Sequence, residues 1–256
     1  MPPVIDLIPC LRDNYAVLVH DPASGTTLLV DAPEEAPVAA ALRRRGWTLT
    51  HILITHHHHD HVTGLMALKD ETGALVLGPA EEADRIAGLD RTLEDGDVVE
   101  IGPWTVDAIR TPGHTLGHLC YHLPSIGLAF TGDTLFALGC GRVFEGTLDA
   151  MWGSLDRLKT VLPPETIIYC GHEYTLSNAR FAVSMDPGNT ALQARATTIA
   201  AAREAGRPTL PTTMADELAT NPFLRADDPA LATAVGMAGA APAAVFAHLR
   251  RRKDAA

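Results

Sequence analysis

The chain has 256 residues and a 46% apolar fraction, enough for one large domain or for a domain with a smaller appendage. Its formal charge of −11, from 20 basic and 31 acidic side chains, argues against general nucleic-acid binding and against attraction to an anionic membrane. The opening residues carry Asp6 and no cationic segment ahead of an apolar run, so no signal peptide is expected. The apolar stretch 234–247 contains Pro242 and is too short to span a bilayer. Cys10, Cys120, Cys140 and Cys170 form no CxxC pair and are read as reduced, buried thiols, with a cytoplasmic location as the matching expectation.

In chain order, strands are expected at 16–19 and 27–30, joined across the turn-rich segment 21–25. An amphipathic helix over 34–45 is stopped by Gly46. Strands follow at 51–55 and 75–77, then a hairpin of 98–101 and 104–109 around Gly102-Pro103, then strands at 127–131 and 166–170. Beyond about Tyr174 the strand signals vanish, and prolines at 187, 208, 211, 222, 229 and 242 punctuate a helical pattern. The expected organisation is a strand-rich domain over 1–173 and a helical domain over 174–256.

Five of the twelve histidines fall within Thr55-His56-His57-His58-His59-Asp60-His61, directly after an apolar strand. An expression tag would sit at a terminus, and crowded imidazoles need a reason that a divalent ion supplies. Spacing alone allows two frames, His56-x-His58-x-Asp60-His61 and His57-x-His59-x-His61. Alternate residues of an extended loop share a face, so His56 and His58 can converge on one ion, with Asp60 and His61 turned towards a second. Three later strands end in the same way. His114 follows Pro112-Gly113, Asp133 follows Gly132, and His172 follows Gly171. Each alone reads as an ordinary loop residue, but jointly they offer ligand types at the strand ends where sheet-based enzymes build sites.

The order His-x-His-x-Asp-His, Pro-Gly-His-Thr, Gly-Asp-Thr, Gly-His resembles the metallo-β-lactamase superfamily over about residues 13–173. The resemblance implies an α+β fold, an αββα four-layer sandwich followed by a small helical domain. It selects the frame His56, His58, Asp60 and His61, leaving His57 and His59 as spectators. It also implies one metal on His56, His58 and His114, another on Asp60, His61 and His172, and Asp133 bridging both. His118 is then a supporting residue rather than a ligand. Two divalent ions per chain, zinc first and iron or manganese as alternatives, would lower the pKa of a shared water, with Asp60 and Asp133 as the catalytic carboxylates. A thiolate, with a pKa of about 8.5, can leave without a general acid, which favours a thioester. A cysteine commonly stands at the position of Asp133 in zinc lactamases, so a lactamase is disfavoured.

Gly139-Cys140-Gly141-Arg142-Val143-Phe144, Cys170-Gly171-His172-Glu173-Tyr174, Asn221-Pro222-Phe223-Leu224-Arg225 and Arg250-Arg251-Arg252-Lys253 are similar to the glyoxalase II family, the hydroxyacylglutathione hydrolases. This implies hydrolysis of S-D-lactoylglutathione to D-lactate and glutathione, the second step of methylglyoxal detoxification. Arg142, Phe144, Tyr174, Arg250 and Lys253 would then line the glutathione site. The family has Lys where Arg142 stands and Tyr where Phe144 stands. The first change keeps the charge with another geometry, and the second removes a hydroxyl. A lactonase, or an esterase or thioesterase of another thiol carrier, is the alternative on the same metals. The expected partner is a small glutathione thioester, without nucleic acid or membrane, bound by a monomer.

Overall fold

The computed structural model describes residues 2–256. They pack as two compact units, one of residues up to Arg110 with Gly117–Gly132, the other of Thr111–Leu116 with Asp133–Ala256. Packing therefore divides the chain differently from the sequence boundary near 173. The loop carrying His114 and everything from Asp133 onward group with the helices.

The first unit begins with strands β1 (Val4–Cys10), β2 (Asn14–His20) and β3 (Thr27–Val30), then helix α1 (Glu35–Arg45) and β4 (His51–Leu53). Helices α2 (His59–Val62) and α3 (Leu65–Thr72) lead to β5 (Leu75–Pro79) and β6 (Arg91–Leu93). These six strands form one sheet in sequence order, antiparallel from β1 to β3 and parallel from β3 to β6. Helix α1 stops where expected because Gly46 takes the left-handed conformation at φ 68° and returns its N–H to Leu42 and Arg43. Its Val38, Ala39, Ala41 and Leu42 are buried in a core shared with Leu18, Leu29 and Ile52 of the sheet.

A second, antiparallel run of strands in this unit comprises β7 (Val98–Ile101), β8 (Trp104–Arg110), β9 (Leu119–Leu123) and β10 (Leu128–Gly132). The two layers are tied by polar bonds inside the core. The Tyr121 hydroxyl donates to the Ile54 carbonyl at 2.6 Å, and the Leu119 N–H donates to the Thr55 carbonyl at 2.9 Å. Burial, and then the charge of Asp31, push the Tyr121 phenol well above its ordinary range, so it remains a donor.

The second unit contains the short pair β11 (Leu135–Phe136) and β12 (Gly139–Cys140), helix α4 (Leu148–Val161) and strand β13 (Ile167–Cys170). Helices α5 (Thr175–Met185) and α6 (Thr190–Glu204) follow, then β14 (Thr212–Thr213), α7 (Met214–Thr220), α8 (Pro229–Ala234) and α9 (Pro242–Asp254). Side-chain caps start four of these helices, from Thr147, Asn189, Thr213 and Asp228.

Several details differ from the sequence expectation. Strands β1, β6, β9, β11 and β12 are additional to the expected set; the mixed pattern of β1 and the fully buried one of β9 show no clear alternation. Strand β14 interrupts a segment expected to be wholly helical, pairing with β13 through Thr212 and Thr213. The strand expected over 51–55 ends at Leu53, because the Thr55 N–H leaves the ladder for the Asp31 carboxylate at 2.8 Å. Among the described residues, no helix is long and apolar enough to cross a membrane. All four cysteines are buried thiols.

Replacing Tyr121 with Phe is expected to leave the Ile54 carbonyl buried without its donor and to cost about 1–3 kcal/mol of stability. An unchanged urea midpoint would show that the bond between the layers contributes nothing.

Candidate metal centre

In the first unit the parallel pairing of β3 and β4 brings the ends of both strands to one edge, Val30 opposite Leu53. Asp31 follows one strand and Thr55-His56 the other. Asp31 is buried with φ 55°, a left-handed conformation uncommon outside glycine. Its carboxylate explains the strain, since it accepts the Thr55 N–H, the Thr55 hydroxyl at 2.9 Å and His61 Nδ1 at 2.8 Å. A carboxylate can only accept, so the His61 proton sits on Nδ1 and Nε2 keeps its lone pair.

His56 is buried, with Nδ1 at 3.0 Å from the Thr55 hydroxyl and Nε2 at 3.1 Å from His58 Nδ1. The His56 and His61 rings lie 4.2 Å apart between centroids. Asp60 is anchored by Asn14, whose amide donates to the Asp60 carbonyl at 2.9 Å and to its carboxylate at 3.1 Å. The other two histidines of the cluster have further partners. His57 meets Glu82, at 2.7 Å from both its N–H and its Nδ1, and His59 is exposed beside Thr63. His118 is buried and stacks on His56, with centroids 5.0 Å apart.

In the second unit, the loop after β8, the residue after β10 and the loop after β13 bring His114, Asp133 and His172 together. Both histidines present Nε2 at 3.3 Å from Asp133 Oδ2, and all three residues are buried. His114 Nδ1 donates to the Arg142 carbonyl at 2.9 Å, which leaves its Nε2 as an acceptor. The backbone around Asp133 is closely filled. A Cβ on Gly141 would fall 1.9 Å from the Asp133 carbonyl oxygen, so only glycine fits there.

The donor set fits divalent metal. Imidazoles such as those of His61 and His114, whose far nitrogens are committed to a carboxylate and a carbonyl, beside buried carboxylates, suit zinc, iron or manganese. Asp31, Asn14 and Glu82 were not singled out from the sequence. Asp31 carried the same signal as Asp133, an acid directly after an apolar strand, whereas Asn14 and Glu82 act only through tertiary approach.

The expected carrier-binding residues all lie in the second unit. Tyr174 stacks on His172, with rings 4.7 Å apart and nearly parallel, and is 37% exposed. Phe144 is 61% exposed and tilts against His114 at 5.2 Å. Arg142 is exposed. Lys253 donates to Ser177 and lies over the Phe181 ring, and burial, then the charges of Arg250 and Arg142, lower its ammonium pKa. Arg250 is engaged within the second unit. It is buried, donates to the Cys140 carbonyl at 2.9 Å and to Asp254 at 2.8 Å, and covers the Phe223 ring.

A family model described as the metallo-beta-lactamase superfamily matches residues 11–172, and one described as hydroxyacylglutathione hydrolase C-terminus matches residues 173–256. The chain is similar to a hydroxyacylglutathione hydrolase of Rhizobium meliloti, 56% identical over 250 residues that cover 98% of this chain and 97% of that one. A hydroxyacylglutathione hydrolase of Cereibacter sphaeroides is also 56% identical, over 99% of both chains. Among solved structures, the B3 metallo-β-lactamase BLEG-1 superposes with a TM-score of 0.68 at 21% identity, covering 86% of this chain and 99% of that one, a likeness of fold.

Asp31→Asn would keep the size but weaken the hold on His61 and Thr55. Apparent affinity for added zinc is expected to fall by about 10–100-fold, read by chelator competition. An unchanged affinity would remove Asp31 from the support of the site.

Proposed function

Because the chain belongs to the hydroxyacylglutathione hydrolases, with the α+β metallo-β-lactamase fold and a helical C-terminal region, we propose that it hydrolyses S-D-lactoylglutathione or a closely related 2-hydroxyacyl thioester. The observation that carries this reading is the convergence of His114 and His172 on one carboxylate oxygen of Asp133, in a chain whose other unit offers His56, His58, Asp60 and His61.

The proposed ligands are His56, His58 and His114 for one ion and Asp60, His61 and His172 for another, with Asp133 serving both. Zinc is the first candidate, and iron and manganese suit the same donors. Two such ions supply Lewis acidity and make water nucleophilic near neutral pH. The protein's own part is to keep the ligand lone pairs free. The Asp31 carboxylate and the Arg142 carbonyl hold the protons of His61 and His114 on Nδ1 throughout. The departing group of a thioester is a thiolate with a pKa of about 8.5, which leaves without protonation. No side chain of the site then needs to act as a proton donor to the leaving group.

Glutathione carries two carboxylates, so a chain of charge −11 must concentrate cations where it binds. Arg142 and Lys253 are the proposed carboxylate partners, and the Tyr174 ring stacks on His172. Arg250 is assigned to the same region from beneath, holding Cys140 ahead of Arg142. The exposed Phe144 offers an apolar face where a hydroxyl would donate. The helical segment 174–256 is proposed as the carrier-binding domain and 1–173 as the catalytic one.

Purified protein is expected to turn over S-D-lactoylglutathione with a far higher specificity constant than any lactone, and to lose that activity on chelation without losing its circular-dichroism spectrum. A preference for lactone would replace this reading with a lactonase. Loss of fold on chelation would point to a structural metal instead.

A further inference from the structure

We propose that Asn221 and Asn178 are positioning residues that clamp the turn between β11 and β12 and so hold the backbone that orients the ligand His114. The inference rests on the two-metal reading above. It concerns a motif, Asn221-Pro222-Phe223, whose asparagine is neither a proposed metal ligand nor a proposed carrier contact.

Asn221 stands directly after α7 and is wholly buried. Its amide nitrogen lies 3.2 Å from the Phe136 carbonyl, 3.0 Å from the Gly139 carbonyl and 2.9 Å from the Glu217 carboxylate. Asn178 of α5 donates to the Ala137 carbonyl between them at 3.1 Å. Glu217, also wholly buried, accepts the Leu138 N–H at 2.8 Å and the Thr212 hydroxyl at 2.7 Å. Every residue of the turn 136–139 is therefore held by a side chain of the helical segment. Leu138 sits at φ 57°, a left-handed conformation that a leucine rarely adopts unaided. The turn is shaped from outside rather than by its own residues. Gly139 belongs to the same fit, since a Cβ there would lie 2.4 Å from the Asn178 amide.

The chain just beyond the turn has little slack. Arg250 fixes the Cys140 carbonyl, the Gly141 N–H donates to Thr134 at 3.2 Å, and the Arg142 carbonyl accepts the His114 proton at 2.9 Å. Any shift of the turn reaches that carbonyl within a few residues. Without that acceptor, neither the tautomer of His114 nor its ring angle is fixed, and the ligand loses its set. In this way the helical segment shapes the metal centre as well as the carrier site.

The test compares apparent zinc affinity, by chelator competition, in the full chain and two variants. Asn221→Ala is expected to bind zinc about 10-fold or more weakly than the parent. Thr213→Ala removes the cap of the same helix, touches nothing in the turn, and is expected to keep the parent affinity. Parent affinity in Asn221→Ala overturns the proposal. So does an equal loss in Thr213→Ala, which would mark the effect as general destabilisation. If Asn221→Ala does not fold, Asn178→Ala carries the same comparison with the same criteria. A parent chain that takes up no zinc, iron or manganese would sink the two-metal reading, and this inference with it.

Discussion

A neutral imidazole can offer a lone pair to a metal ion only if its proton sits on the other ring nitrogen. Left alone, each histidine would divide between tautomers and rotate, so a cluster of them is a site only when something else takes the protons. In this chain that task falls to groups that can only accept. Asp31 takes the proton of His61, and the Arg142 carbonyl takes that of His114. Both acceptors are fixed by features with a local cost. Asp31 adopts a left-handed backbone, and Gly141 is the one residue type that fits between Arg142 and the Asp133 carbonyl.

These constraints explain why the proposed ligands cluster at strand ends. A strand holds its last residue rigidly through the ladder, and the first residue beyond it is free to turn towards a common point. In the first unit, parallel β3 and β4 finish at the same edge, which allows Asp31 and Thr55 to bond. The loops after β8 and β13 and the residue after β10 deliver His114, His172 and Asp133 in a similar way, while Ser154 of α4 anchors the Pro112 carbonyl just before His114 at 2.7 Å. The helices contribute in the same currency of hydrogen bonds, through Asn178, Glu217, Asn221 and Arg250. These bonds tie the segment 136–140 to the helices with which the residues from Asp133 onward are grouped.

Much of this was legible in the sequence. The strand at 27–30, the helix ending at Gly46 and the hairpin around Gly102-Pro103 come from period and turn chemistry, which are local. The ligand types beside glycines at strand ends were legible for the same reason. Strand β9, buried along its whole length, has no alternation to betray it, and β14 owes its two residues to its partner β13. Spacing left two frames open in the histidine cluster. What separates His57 from its neighbours is Glu82, a carboxylate twenty-five residues away that no local pattern connects to it. Arg250 carries the same lesson. Its place in a run of cations at a helix end gives no sign that its side chain turns inward to a carbonyl 110 residues earlier.

The most direct measurement is anomalous X-ray scattering from crystals of the metal-loaded protein. Two peaks about 3.5–4 Å apart are expected, as in two-metal hydrolytic sites, one against His56, His58 and His114, the other against Asp60, His61 and His172, with Asp133 touching both. A single peak, or an ion held by His57 or His59, would contradict the two-ion reading of the site.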